Sequence, residues 1–162
     1  MEETLQKLKN YFLFLLSKQD YSIFKLQQKA QQKQYPSEVI QQVIQEFLDK
    51  GYIRETIYAK SKTLAWYKKG ISVSMIQRKL SMEKVFISAE EIKNWLCENQ
   101  CQDDAEMTQT LVAKKMKNID FSSLSTEERL KIKDKALRYL VSKGHSFDVA
   151  KDAIKQYIQS NL

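Results

Sequence analysis

The stretch "SKQDYSIFKLQQKA" (Ser17–Ala30) recurs twice later in the chain, as "YKKGISVSMIQRKL" (Tyr67–Leu80) and "SKGHSFDVAKDAI" (Ser142–Ile154). When the copies are aligned on a shared serine, apolar residues follow four and eight positions later, which is the spacing of one helix face. The serine hydroxyl can accept a hydrogen bond from an otherwise unpaired N–H of the first helical turn. Each copy is therefore predicted to be a turn followed by a serine-capped helix. The capping serines are Ser22, Ser72 and Ser146.

A second helix is predicted to run into each of these turns, because apolar residues also recur six and fourteen positions before the serine. These residues are Leu16, Trp66 and Leu140 in the nearer position and Leu8, Tyr58 and Ile132 in the farther one. Two positions before the serine stand Asp20, Gly70 and Gly144, residue types that tolerate the left-handed conformation in which helices often end. The repeated element is therefore a helix, a short turn and a capped helix.

A third helix is expected to follow this pair in the first two repeats. In "YPSEVIQQVIQEFLDKGYI" (Tyr35–Ile53), Pro36 lies near the helix start and Gly51 follows the helix end. The buried face of this helix is predicted to consist of Val39, Val43, Ile44, Phe47 and Leu48. The stretch "ISAEEIKNWLCEN" (Ile87–Asn99) contains the Ser-x-x-Glu pattern of a capping box, starting at Ser88.

The third repeat is arranged differently, because its additional helix comes first. The stretch "DDAEMTQTLVAKKMKN" (Asp103–Asn118) is predicted to be an amphipathic helix, and a loop is expected at "IDFSSL". A second Ser-x-x-Glu box then begins at Ser125. The adjacent acids Asp103 and Asp104 are interpreted as a helix cap, and a metal site is the alternative.

The pattern as a whole predicts an all-α protein of three tandem three-helix repeats, at residues 1–53, 54–102 and 103–162. Three glycines and one proline are too few for the many tight turns of a sandwich or barrel. No single repeat can bury a large core, so neighbouring repeats are expected to share surface. An elongated, curved array is the expected architecture.

The composition indicates which class of partner the protein binds and in which compartment it is found. The formal net charge is +7, with the excess heaviest towards the C-terminus, which favours a polyanionic partner such as nucleic acid. No apolar run approaches the roughly 18 residues of a membrane span, so we expect a cytoplasmic protein without membrane contact. Cys97 and Cys101 lie four residues apart on a predicted helix and are expected to be free thiols. A zinc site would need more ligands than these two.

His145 is the single histidine, and it lies among Gly144, Ser146 and Asp148, which raises the question of a catalytic site. In the repeat alignment His145 corresponds to Tyr21 and Ile71, neither of which could replace it in acid–base chemistry. We therefore interpret it as a turn residue that supplies bulk. There is no P-loop, no G-x-G-x-x-G motif and no paired metal-ligand motif. We expect no catalytic, cofactor-binding or metal-binding residue.

Three stretches, in order, resemble the repeats of the RecX family. They are "LSKQDYSIFKLQQKA" with "VIQEFLDKGYI", then "YAKSKTLAWYKKGISVSMIQRKL", and finally "KALRYLVSKGHSFDVAKDAI", which is similar to the family's C-terminal signature. The resemblance extends from about Leu8 to Ile154. The chain departs from the family pattern in having no paired acids before Tyr58, and His145 where an aromatic residue is common. Lysine also replaces arginine at Lys18, Lys69 and Lys143, and lysine lacks the planar fork of arginine.

The resemblance implies a modular, curved helical protein that lies in the groove of the RecA–single-stranded DNA filament. Nothing in the sequence demands an oligomer, so we expect a monomer. The resemblance also implies inhibition of the recombinase, ATPase and coprotease activities of RecA, within DNA repair, homologous recombination and the SOS response, without catalysis by the protein itself. Single-stranded DNA, and in addition double-stranded DNA, are further implied partners. Capping filament ends, disassembling filaments and locking them inactive all remain open as modes of action.

The candidate RecA- and DNA-binding residues are basic and lie in or beside the repeated turn, on the helix after it, or in a second cluster. They are Lys18, Lys25, Lys29, Lys68, Lys69, Arg78, Lys79, Arg138 and Lys143, with Lys114, Lys115 and Lys117 as the second cluster. The alternative is that these side chains only solvate helix surfaces. Trp66 and Trp95 could stack on bases, but their positions in the pattern favour the core.

Two further hypotheses do not involve a recombinase filament. A helical DNA-binding module would bind DNA equally well with and without RecA. A protein–protein adaptor, whose basic charge meets an acidic partner, would not bind DNA by itself.

Overall fold

The computed structural model describes residues 1–162 and contains helices but no strands. The all-α prediction is confirmed. The nine α-helices are α1 (Glu2–Leu16), α2 (Ile23–Gln32), α3 (Ser37–Asp49), α4 (Glu55–Lys68), α5 (Val73–Met82), α6 (Ala89–Glu98), α7 (Asp104–Met116), α8 (Thr126–Ser142) and α9 (Phe147–Ser160). A short 3-10 helix, Phe121–Ser123, lies between α7 and α8. None of the helices has the length and apolar character needed to cross a membrane.

The chain forms two compact bodies. The N-terminal body consists of Met1–Lys62 and Leu80–Phe86, and the C-terminal body consists of Thr63–Lys79 and Ile87–Leu162. Each body therefore takes a part of α4 and of α5. The division of the chain into repeats at residues 1–53, 54–102 and 103–162 stays a prediction.

The core of the N-terminal body is made by the facing sides of α1, α2 and α3. Its fully buried members include Leu8, Phe12 and Leu26. The predicted buried face of α3 is correct except at its last residue, because Leu48 is 37% exposed whereas Ile40 is only 2% exposed. Ile40 lies four residues before Ile44, on the side of α3 that faces the core, and Leu48 lies at the edge of that side.

The core of the C-terminal body is made by α7, α8 and α9 together with the 3-10 helix. Phe121, which lies in the predicted loop between α7 and α8, is fully buried in this core. The apolar positions four and eight residues after the capping serines are buried in all three copies. These residues are Leu26, Ile76 and Ala150, followed by Ala30, Leu80 and Ile154.

The predicted helix caps are present, although Ser88 accepts a bond from the N–H of Glu91 without the reciprocal bond of the predicted capping box. The hydroxyls of Ser22, Ser72 and Ser146 each accept a hydrogen bond from the backbone N–H three residues later, at 3.2, 3.2 and 3.3 Å. Both bonds of a capping box are formed at Ser125, and Asp103 forms one as well, which confirms the cap interpretation of that acid. Cys97 and Cys101 are unpaired thiols, as expected.

The left-handed conformation predicted for the turns occurs in two of the three copies. Gly70 and Gly144 have φ angles of +82° and +90°. The prediction is wrong for Asp20, whose φ is not positive and whose carboxylate accepts hydrogen bonds from Arg54. Because α1 ends at Leu16, more residues separate it from the capping serine than in the other two copies, so its turn closes without a left-handed residue.

Candidate functional site

The N-terminus of α2 is held by carboxylates from later parts of the N-terminal body. Glu55 Oε1 accepts a hydrogen bond from the backbone N–H of Ile23 at 2.9 Å. Glu83 accepts bonds from the hydroxyls of Ser22, at 3.1 Å, and Tyr58, at 2.5 Å. Burial, and then the hydrogen bond to Glu83, raise the pKa of Tyr58 above its usual value. The capping serine Ser22 therefore also connects the start of α2 to Glu83, which follows α5.

The same kind of junction occurs in the C-terminal body at the N-terminus of α5. The carboxylate of Asp104, the first residue of α7, lies 3.4 Å from the backbone N–H of Val73. Ser72 contacts the turn between α8 and α9, because its N–H donates to the carbonyl of Lys143 at 2.9 Å and its hydroxyl donates to that of Gly144 at 2.8 Å. A cap residue and an acid thus bind the α4–α5 turn to the third repeat.

His145 is buried at this second junction. Its Nε2 lies 2.9 Å from the carbonyl oxygen of Gly70, and since a carbonyl can only accept, Nε2 carries a proton. Its Nδ1 lies 3.1 Å from the hydroxyl of Thr108, which is fully buried. Both ring nitrogens therefore have structural partners, while Ser146 and Asp148 are exposed at the start of α9. His145 therefore supplies two hydrogen bonds in addition to the bulk that was predicted for it.

The ring of Tyr139 has lysines on it from two predicted groups: Lys115 from the second cluster and Lys143 from the turn after α8. The ammonium groups of Lys115 and Lys143 lie 4.4 and 5.6 Å from the centroid of this ring. Lys114, Lys115 and Lys135 also line one groove of about 310 Å³ between α7 and α8. We call Tyr139, Lys114, Lys115, Lys135 and Lys143 the Tyr139 cluster. It unites residues that are far apart in sequence.

Lys135 belongs to this cluster although it is not among the residues predicted to bind RecA or DNA. The available signal was its position four residues before Tyr139 on α8, which places the two on one helix face. Two selected neighbours are arranged differently. Lys117 follows α7 as its exposed C-cap residue, and Arg138 donates from Nε to the carbonyl oxygen of Asp134 in its own helix.

The basic residues of the second repeat lie at the end of α4 and along α5. Lys68, Lys69 and Arg78 are exposed. Lys79 places its ammonium group 5.6 Å from the ring centroid of Trp66. Trp95 is buried as predicted, but the core prediction is wrong for Trp66, which is half-buried because the neighbouring Tyr67 occupies the buried position.

The basic residues of the first repeat fall into two classes. Lys25 lies 3.7 Å from the Glu83 carboxylate, so part of its charge is compensated inside the protein. Lys18 and Lys29 instead place their ammonium groups over aromatic rings, at 5.6 Å from Phe14 and 5.5 Å from Tyr21. Such cation–π contacts are weak at exposed sites, about 0.5–1 kcal/mol, so these lysines can turn to an external anion.

Comparisons with known proteins give matches over most of the chain. A family model described as "RecX, first three-helix domain" matches residues 9–47. The regulatory protein RecX of Vibrio vulnificus is 30% identical over 140 residues, which cover 86% of this chain and 86% of that protein. The protein of the same name from Haemophilus influenzae (strain PittEE) is 29% identical over 147 residues, covering 91% and 92%.

Solved structures resemble the fold as well. The crystal structure of RecX from Lactobacillus salivarius matches 96% of this chain and 97% of its own with a TM-score of 0.67. Sequence identity in that comparison is 21%, so the likeness concerns the fold.

Proposed function

Because the chain belongs to the RecX family of regulatory proteins, we propose that it binds the RecA–single-stranded DNA filament and inhibits the recombinase, ATPase and coprotease activities of RecA. The protein acts by binding, as a monomer in the cytoplasm, and catalyses no reaction itself. DNA and RecA are both contacted, and the basic residues of the repeated turns and of the Tyr139 cluster make these contacts.

The observation that supports the DNA contact is the pair of ammonium groups over Tyr139. Lys115 lies on α7 and Lys143 directly follows α8, and the ammonium groups of both lie within 6 Å of one ring centroid. Two ammonium groups placed around one ring both attract a phosphate that binds beside this ring. Each phosphate that is neutralised also releases condensed counterions, which favours binding at low salt. The groove beside them gives a strand backbone a place to lie.

The predicted site residues do not all have the same role in this proposal. Lys18, Lys29, Lys68, Lys69, Arg78, Lys79, Lys114, Lys117 and Arg138 remain proposed contacts. Lys25 is the weakest of the proposed contacts, since the Glu83 carboxylate already compensates part of its charge.

The alternative function is a helical DNA-binding module without a recombinase partner. The Tyr139 cluster favours it as much as it favours a filament contact, because phosphates are recognised in the same way with or without RecA. A protein that binds DNA equally well in both situations would fit this alternative.

The test is the single-strand-dependent ATPase rate of RecA from the same source, titrated with the protein. We expect the rate to fall at substoichiometric amounts of protein relative to RecA. A rate that stays constant until the DNA is saturated would contradict the filament proposal and leave the DNA-binding module.

The double variant Lys115→Glu, Lys143→Glu is expected to weaken binding to single-stranded DNA about 10-fold or more and to weaken ATPase inhibition in parallel. Two phosphate contacts would be replaced by repulsion, and the slope of log affinity against log salt should fall by about two. Fluorescence anisotropy with a labelled oligonucleotide at several salt concentrations measures both quantities.

A matched control is the double variant Lys7→Glu, Lys131→Glu, which changes the net charge by the same amount. Both of these lysines are exposed and pair with a glutamate four residues earlier on their own helix. An equal loss of affinity in the two double variants would mean that net charge, and not the Tyr139 cluster, determines binding.

A further inference from the structure

The C-terminal half of α1 exposes an aromatic ring that the rest of the fold does not cover. Phe14 is 59% exposed, although burying its side chain would be favourable by about 2 kcal/mol. Tyr11 lies one turn earlier on the same helix face. The ammonium groups of Lys18 and Lys33 lie 5.6 Å from the Phe14 ring centroid and 4.9 Å from that of Tyr11. We call Tyr11, Phe14, Lys18 and Lys33 the α1 stripe.

The positive charge of the α1 stripe comes from Lys18 and Lys33, because the lysines of α1 itself, Lys7 and Lys9, are paired with glutamates. No acidic residue occurs between Glu3 and Asp20, and Asp20 is paired with Arg54 at 2.9 Å. Lys18 and Lys33 contact rings and form no ion pair with a carboxylate, so their charge is not compensated inside the protein. The combination of an open ring face and uncompensated lysines is suited to a ligand that carries both flat rings and negative charge.

A second exposed phenylalanine provides a contrast within the same chain. Phe147 is 55% exposed and has the ammonium group of Lys151 at 6.0 Å from its ring centroid. It lines a groove between α8 and α9 whose charged residues are three acids and three lysines, namely Asp134, Asp148, Asp152, Lys133, Lys151 and Lys155. Because the acids balance the lysines, this groove offers a phosphate backbone no net positive charge, and an aromatic ring with a nearby lysine is not enough for a nucleic-acid site.

We propose that the α1 stripe binds unpaired bases of single-stranded nucleic acid, with a base stacked on Phe14 and Lys18 at the adjacent phosphate. This inference rests on the proposed function and deepens it. Stacking accepts any base, because every base has a flat face, but it requires a base that is not already stacked in a duplex. The Tyr139 cluster has two ammonium groups over its ring, and these recognise phosphates, which single strands and duplexes both carry. The α1 stripe is therefore the element that distinguishes single strands from duplexes.

The experiment compares the binding of fluorescein-labelled oligothymidine and of a labelled duplex by anisotropy at low ionic strength. We expect Phe14→Ala to weaken oligothymidine binding about 10-fold and duplex binding by less than about twofold. Phe14→Trp should retain the affinity for oligothymidine, since it keeps a stacking face. Phe147→Ala, the matched control, should leave both affinities unchanged. Thermal unfolding followed by circular dichroism checks that Phe14→Ala remains folded.

Each contrary outcome has a separate meaning. If the unsubstituted protein binds both DNAs and Phe14→Ala binds oligothymidine equally well, the stacking proposal fails and the proposed DNA contact stands. If the unsubstituted protein binds neither DNA, the proposed DNA contact fails together with the stacking. If Phe14→Ala binds oligothymidine normally but no longer inhibits the RecA ATPase, the ring contacts protein and the stacking proposal is overturned.

Discussion

Replacing Gly144 by alanine is expected to lower the free energy of unfolding of the C-terminal body by about 3 to 5 kcal/mol. Gly144 has a φ angle of +90°, a conformation that costs an alanine roughly 1–2 kcal/mol. An added Cβ would lie 2.5 Å from the Cβ of Met75 and 2.6 Å from the Oγ of Ser72. Because the Cβ of Met75 is fixed to the backbone of α5, the α4–α5 turn would have to move away from the α8–α9 turn.

The other two glycines provide graded controls for this substitution. At Gly70, with a φ angle of +82°, the nearest atoms to an added Cβ are the two terminal methyl groups of Leu111, at 2.8 and 2.9 Å, and a flexible side chain can move. At Gly51, with a φ angle of +69°, nothing lies within 4 Å. We expect the cost of Gly→Ala to fall in the order Gly144, Gly70, Gly51, with about 1–2 kcal/mol at Gly51 from the backbone conformation.

Urea unfolding followed by tryptophan fluorescence measures the free energy of unfolding of Gly144→Ala and Gly70→Ala, because Trp66 and Trp95 both belong to the C-terminal body. Urea unfolding followed by far-ultraviolet circular dichroism measures the free energy of unfolding of Gly51→Ala, whose substitution lies in the N-terminal body. A cost at Gly144 no larger than the cost at Gly51 would contradict the close contact between the two turns.

The helix caps and the repeated frame could be predicted because they depend on neighbours in sequence. A serine before a helical apolar pattern needs only local backbone N–H groups, and Ser22, Ser72 and Ser146 all act as predicted. The left-handed residues after α2, α5 and α6 could not be predicted in this way. They are Gln34, Lys84 and Gln100, residue types that give no local signal for a positive φ.

The candidate site was only partly predictable, because its geometry depends on contacts between distant residues. Lys143 follows Tyr139 by four residues, so its contact with the ring is local, whereas only the packing of α7 against α8 brings Lys115 to the same ring. Likewise, the sequence marks Lys25 as a basic surface residue but does not show its ion pair, because the partner, Glu83, lies 58 positions later in the chain. Charge pattern identifies which residues carry charge, whereas tertiary structure decides whether that charge is compensated.

Replacing His145 by alanine is expected to lower the free energy of unfolding of the C-terminal body by about 2 to 4 kcal/mol. The substitution leaves a cavity and removes the partners of two buried groups, the carbonyl of Gly70 and the hydroxyl of Thr108. The Thr108 hydroxyl can still donate to the carbonyl oxygen of Asp104 at 2.6 Å, so the Gly70 carbonyl is the group that loses most. Urea unfolding monitored by tryptophan fluorescence measures the change.

The variant His145→Phe separates bulk from hydrogen bonding, because it fills the site with a ring but offers no donor. The aligned residues Tyr21 and Ile71 would suggest that bulk is sufficient, and His145→Phe would then be as stable as the unsubstituted protein. The hydrogen bonds to Gly70 and Thr108 instead predict that about 1–3 kcal/mol of the loss remains, since a buried acceptor without a partner is costly. Both variants, where folded, should still inhibit the RecA ATPase. A folded His145→Phe protein without inhibition would contradict a structural role and reopen the question of chemistry at this residue.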